Sequence, residues 1–104
     1  MPLEAGLVLG VLAEGLGVDV KDFCRRRRGS YLRAVAARYL MRYAGQTQRE
    51  VAEELKAGSG SAISKQISMH KEAMEDAVLV RKLLKIDRRL SEAKRERTEN
   101  NGNS

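Results

Sequence analysis

Apolar residues recur along most of this chain at a spacing of three and four, the period of a helix face. Leu3, Leu7, Val8, Val11 and Leu12 form the first such stripe and predict a helix over about residues 3–14. Gly6 and Gly10 weaken that helix by roughly 1 kcal/mol each relative to alanine, so packing must stabilise it. Gly15, Leu16 and Gly17 are expected to end it, and Asp19 to cap a one- or two-turn helix whose Val20 and Phe23 enter the core. A connector of four arginines and Gly29 follows. Ser30 then suits the N-cap of a helix over about 31–44, with Leu32, Val35, Ala36, Tyr39, Leu40 and Tyr43 on its buried side and Gly45 as its stop.

The pattern then shortens. Thr47 followed by Glu50 is a capping box: the threonine hydroxyl accepts one orphan N–H while the glutamate reaches back to another. It opens a short helix with Val51, Ala52 and Leu55 as its apolar positions. Lys56, Ala57 and Gly58 form a turn, and Ser59 caps a helix expected to run to about residue 74. On that helix Ile63, Ile67, His70 and Met74 share one side, while Ser61, Lys65 and Ser68 lie opposite, flanked by Ser64 and Met69. The phase changes around Glu75 and Asp76. Leu79, Leu83, Ile86 and Leu90 mark a last amphipathic helix to about Arg97, and residues 98–104 read as a polar, disordered tail. The expected fold is therefore all-α: one compact helical domain over 1–97 with a helix-turn-helix at about 47–74 and a long C-terminal helix.

Composition agrees with helices and narrows the chemistry. The 104 residues are 42% hydrophobic and 33% charged, with one proline and few aromatic residues, so little material favours strands. No run of about 18 apolar residues is present to span a bilayer. Met1 to Glu4 carries no basic stretch ahead of an apolar run, so no secretory signal is expected. With Cys24 as the single cysteine, no intramolecular disulfide or cysteine metal cage can form, and a reducing cytoplasm is the expected setting.

Charge layout changes the picture more than the net +6 does. Residues 1–24 carry −3 and residues 50–75 carry −2. Residues 25–49 hold Arg25, Arg26, Arg27, Arg28, Arg33, Arg38, Arg42 and Arg49 with no acid, and residues 76–104 carry +3. Arginine's planar fork matches phosphate, and a 25-residue stretch without an acid points to a polyanion partner. A helix-turn-helix completes that reading geometrically. Its first helix braces across a duplex backbone, and its second puts its N-terminal turns into the major groove, where small polar side chains allow close approach to base edges. Arg25, Arg26, Arg27, Arg28, Arg33, Arg38, Arg42, Thr47, Gln48 and Arg49 are the expected phosphate or minor-groove contacts. Ser59, Gly60, Ser61, Ser64, Lys65 and Ser68 are the expected major-groove contacts. The free N–H groups at the start of that second helix also suit a phosphate.

The order of these features over residues 7–90 resembles the C-terminal DNA-binding domain of the bacterial replication initiator DnaA, in the Trp-repressor-like helix-turn-helix superfamily. The stretches that carry the resemblance are VLAEGLGVDVKDFCRRRRGS (11–30), AARYLMRY (36–43) and TQREVAEELKAGSGSAISKQI (47–67). Domains of this kind in transposase-related bacterial proteins often begin their second helix with a serine-rich motif similar to GSAIS at 60–64. The resemblance implies sequence-specific binding to double-stranded DNA, with the basic loop along phosphates or in a minor groove and Ser61 and Lys65 toward the major groove. Two departures limit it. Ser59, Gly60, Ser61 and Ala62 stand where the initiator carries Asp-His-Thr-Thr, and the family's Arg-Pro-Arg ahead of the long helix is absent. Recognition of the replication-origin box is therefore not implied. No Walker A motif accompanies the domain, and His70 is the only histidine, so neither an ATPase nor a paired-histidine transposase centre is expected.

The remaining residues support no enzyme chemistry. Cys24 and His70 lie on different elements; the first reads as a half-buried thiol beside arginines, the second as a packed imidazole. Glu53 with Glu54 and Glu92 with Glu96 read as solvated carboxylates, and Met69 and Met74 as core gap-fillers. No cofactor, metal, membrane or small-molecule substrate is expected. The alternative to DNA binding is a protein-interaction module that self-associates or binds a partner protein through the Leu79, Leu83, Ile86 and Leu90 stripe. Structured RNA is a weaker third reading, because no exposed aromatic platform accompanies the arginines.

Overall fold

The structure is a computed structural model; it describes residues 2–24 and 31–102, with side chains to residue 96. The chain is all-α. Helix α1 spans Ala5–Leu16, a 3-10 turn Val20–Phe23, α2 Leu32–Tyr43, α3 Gln48–Glu54, α4 Gly60–Met69, a second 3-10 turn Ala73–Glu75, and α5 Ala77–Gly102.

Local chemistry sets most of these boundaries. Helix α1 ends in a Schellman motif, with Gly17 at φ 70° and the Val18 N–H donating to the Ala13 carbonyl at 3.0 Å. Gly15 therefore lies inside α1 rather than ending it. A Cβ there would collide with the Ile86 side chain, so the absence of a side chain at Gly15 lets α5 pack closely on α1. The buried face of α1 is also turned from the one expected: Val8, Leu9, Leu12, Ala13 and Leu16 are buried, while Leu7 is exposed and Val11 half-buried. Asp19 caps the first 3-10 turn in a reciprocal box with Asp22. Phe23 is fully buried, but Val20 is exposed, because a single turn offers the core only one side.

Helix α2 is the centre of the molecule. Its expected apolar side is buried, and so are Arg33, Ala34 and Ala37; Arg38 and Arg42 alone on this helix are exposed. A helix covered nearly all round is a core helix, and the small side chains of Ala34, Ala36 and Ala37 let α1, α3 and α4 close on it. The expected Ser30 cap lies outside the described residues. At its other end, the Leu3 N–H donates to the Tyr43 carbonyl at 2.9 Å, which ties the N-terminal segment to the end of α2.

Helix α4 stops at Met69, five residues before the expected end, and the chain passes through a turn into the second 3-10 segment. No glycine or proline marks that break, so the Ile63, Ile67, His70 and Met74 spacing concealed it. Met74 is buried beside α5, but Met69 is exposed and fills no gap in the core. Asp76 opens α5, its carboxylate accepting the N–H groups of Val78 and Leu79 at 3.1 and 3.2 Å. Leu79, Ile86 and Leu90 are buried and Leu83 half-buried, packed into one core with Leu12, Phe23 and Leu40. The stripe that motivated a partner-binding reading is thus occupied within the chain itself. Helix α5 continues to Gly102, so the segment expected as a disordered tail is helical from Thr98 as far as Gly102. No helix among the described residues is long and apolar enough to cross a membrane.

Candidate nucleic-acid interface

Helices α3 and α4, expected from the sequence as a helix-turn-helix, pack against each other across a short turn, and short-range polar chemistry holds each end in place. The Thr47 Oγ1 accepts the Glu50 N–H at 3.2 Å and the Glu50 carboxylate accepts the Thr47 N–H at 3.1 Å, completing the capping box expected from the sequence. Val51, Ala52 and Leu55 are buried and anchor α3 against α2. The turn between the helices is a second Schellman motif: Ala57 donates to the Ala52 carbonyl at 2.8 Å, and Lys56 occupies the left-handed position at φ 53°. Among the described residues Lys56 is the only non-glycine with positive φ. Gly58, at φ 91°, completes the reversal, and Ser59 caps α4 by accepting the Ala62 N–H at 3.2 Å.

The outward face of α4 is the one read from the sequence. Ile63 is fully buried beneath the helix, while Ser61, Ser64, Lys65 and Ser68 are all exposed. Gly60 differs. A Cβ at that position would sit 3.4 Å from both the Gln48 Cβ and the Arg49 backbone nitrogen. The start of α4 packs there against the start of α3. A cleft of about 820 Å³ opens at this junction, lined by Gln48, Arg49, Glu53, Lys56, Ser59 and Ser61 among others. Arg49 and Glu53 approach to 4.0 Å, but both are largely exposed, so the pairing is weak and leaves the guanidinium available.

The arginines are not one strip. Arg25, Arg26, Arg27 and Arg28 lie outside the described residues. Arg33 is 9% exposed, and its guanidinium donates to the Cys24 carbonyl at 2.8 Å. It is a structural cation that ties the end of the first 3-10 turn to α2, which removes it from the expected phosphate contacts. Arg38 and Arg42 are exposed but line a groove between α2 and α5, away from the cleft lining at the α3–α4 junction. Arg42 stacks over Tyr43 at 5.5 Å and lies 3.9 Å from Asp87. The Tyr43 hydroxyl donates to that same carboxylate at 2.8 Å. Burial, followed by the negative charge of Asp87, pushes the Tyr39 phenol well above its ordinary range; Tyr43 is raised mainly by burial.

Lys56 is the residue that sequence reasoning missed. The sequence marks it only as a turn residue, yet it places a cation on the rim of the cleft. The available signal was a lysine in a turn position that favours glycine. Cys24 is half-buried with its Sγ 3.9 Å from the Glu54 carbonyl, and His70, half-buried, ends α4.

Comparison of the chain with models of known families, with curated proteins and with solved structures finds no match.

Proposed function

We propose that the protein binds double-stranded DNA sequence-specifically, without performing a chemical step, with α4 as the reading helix and α3 as its brace. The observation that supports this most is the exposed, acid-free face formed by Ser61, Ser64, Lys65 and Ser68, held outward by the buried Ile63. Hydroxyls and one amine on a narrow helix face suit base edges and phosphates, and the face is too polar for a protein-binding hot spot. Arg49 and Lys56 at the cleft, with Arg25, Arg26, Arg27 and Arg28 of the connector, supply phosphate affinity that does not depend on sequence. The resemblance to the initiator's DNA-binding domain favours a replication-initiator-like or transposition-associated role in a bacterial cytoplasm.

Titration of duplex DNA at several salt concentrations tests this. With about six phosphates neutralised, log affinity should fall against log salt with a slope near −5. Changing Arg25, Arg26, Arg27 and Arg28 to alanine should make that slope less negative by about 3 to 4. A slope indistinguishable from zero, or a slope unchanged in the alanine variant, contradicts the proposal. Self-association through the C-terminal helix has less support, because its apolar stripe faces the chain's own core.

A further inference from the structure

The outer face of α5 carries a second concentration of positive charge that the α4 reading does not use. Between Ala77 and Ser91 this helix has five cations and one acid, and the next acid, the exposed Glu92, follows one turn after Arg88. Asp87 turns toward α2, where Tyr43 donates to it. Arg89 turns toward α1 and pairs with Glu14 at 3.2 Å. That leaves Arg81, Lys82, Lys85 and Arg88, all exposed and with no ion pair to a carboxylate among the described residues. A groove of about 690 Å³ runs along this face beside Gly15 of α1, and the groove on the other flank of Leu84 carries Arg38 and Arg42. Neither groove shares a lining residue with the cleft between α3 and α4.

We infer that this outer face of α5, with Arg38 and Arg42 at its edge, is a second duplex-binding surface, so that one copy of the chain holds two DNA segments. The bridging rests on the reading of α4 as the first surface; the α5 contact does not. Charge complementarity selects the occupant. Residues 81–88 span about 10 Å of helix, a length over which a duplex presents roughly six phosphate charges. A membrane-lying helix would need a broad exposed apolar face beside its cations, whereas the apolar stripe of α5 is buried and only Val78 and Leu84 stand out. A protein partner would need a cluster of aromatic or aliphatic anchors, and this face offers no aromatic residue and only the separate side chains of Val78 and Leu84.

A duplex-capture assay tests the inference. The full chain is bound to an immobilised duplex and offered a second, labelled duplex, at a concentration where sedimentation shows a monomer. Wild type should capture the second duplex. The variant with Arg81, Lys82, Lys85 and Arg88 changed to glutamine should still hold the immobilised duplex and fail to capture the second. A S61E/K65E variant should likewise bind one duplex and not two. Bridging by the α5 variant at the wild-type level, or wild type that holds one duplex and never a second, overturns the inference and leaves the α4 reading intact. Binding to phosphatidylserine vesicles that the α5 variant loses while it still bridges two duplexes overturns the inference as well. Loss of all binding in the α5 variant with full binding in S61E/K65E would instead support α5 as a duplex contact and remove α4 as one.

Discussion

Lys56 occupies a backbone conformation that costs an L-residue roughly 1–2 kcal/mol and that glycine adopts freely. The strained residue lies on the rim of the cleft proposed to meet DNA, where its amine would reach a phosphate. Lys56→Gly should therefore raise stability by about 1 kcal/mol in urea denaturation while making the salt slope of DNA binding less negative by about 1. A variant less stable than wild type contradicts the strain argument, and an unchanged slope contradicts the contact. The tyrosine pair gives a second prediction at this scale. Tyr39 and Tyr43 have phenol pKa values raised above 10.0 in the fold, so the folded state keeps protons that the unfolded chain releases. Their contribution is fully present below pH 10 and is lost as pH rises through the raised values. Denaturation followed from pH 8 to about pH 11 should show stability falling above about pH 10. Tyr43→Phe, which removes the hydrogen bond to Asp87, should cost about 1.5 kcal/mol at neutral pH and reduce that alkaline fall. Equal pH dependence in the two proteins would count against this account.

At the scale of elements, three substitutions separate propensity from packing. At Gly10 nothing lies near an added Cβ, so Gly10→Ala should stabilise by about 0.5–1 kcal/mol through helix propensity alone. Gly15→Ala makes the same propensity gain, but its Cβ collides with the fully buried Ile86, and over-packing of about 1–3 kcal/mol should make the variant less stable. Thermal melts of the two variants should move in opposite directions. Thr47→Ala should cost about 1 kcal/mol by opening the capping box of α3. These contrasts also explain what was legible. Caps were readable because a capping box is local chemistry, as at Thr47, Glu50 and Ser59. The end of α4 was not, because nothing in the local sequence stops a helix at Met69; tertiary packing of Met74 and α5 decides it. Gly15 reads as a terminator in the sequence because a close crossing of two helices leaves no mark within either one. The all-round burial of α2 was similarly hidden, since alanines satisfy both a solvated and a packed face.

For the whole molecule, the charge count was visible in the sequence but its distribution in space was not. The acid-free run over residues 25–49 suggests a single strip. The fold divides it: Arg33 is buried in the core, Arg38 and Arg42 face α5, and Arg49 joins Lys56 at the α3–α4 cleft. Because a helix turns 100° per residue and packs on several neighbours, sequence adjacency does not fix which surface a cation joins. The α4 face survived this redistribution because a single helix sets its own periodicity, with Ile63 inward and the serines and Lys65 outward. That face is the central claim, and selection of bound sequences from a random duplex pool tests it most directly. The account predicts that wild type enriches a defined motif, and that changing Ser61 and Lys65 to alanine alters or abolishes the motif while general affinity for duplex persists. Enrichment of no motif by wild type, or of the same motif by both proteins, would contradict it.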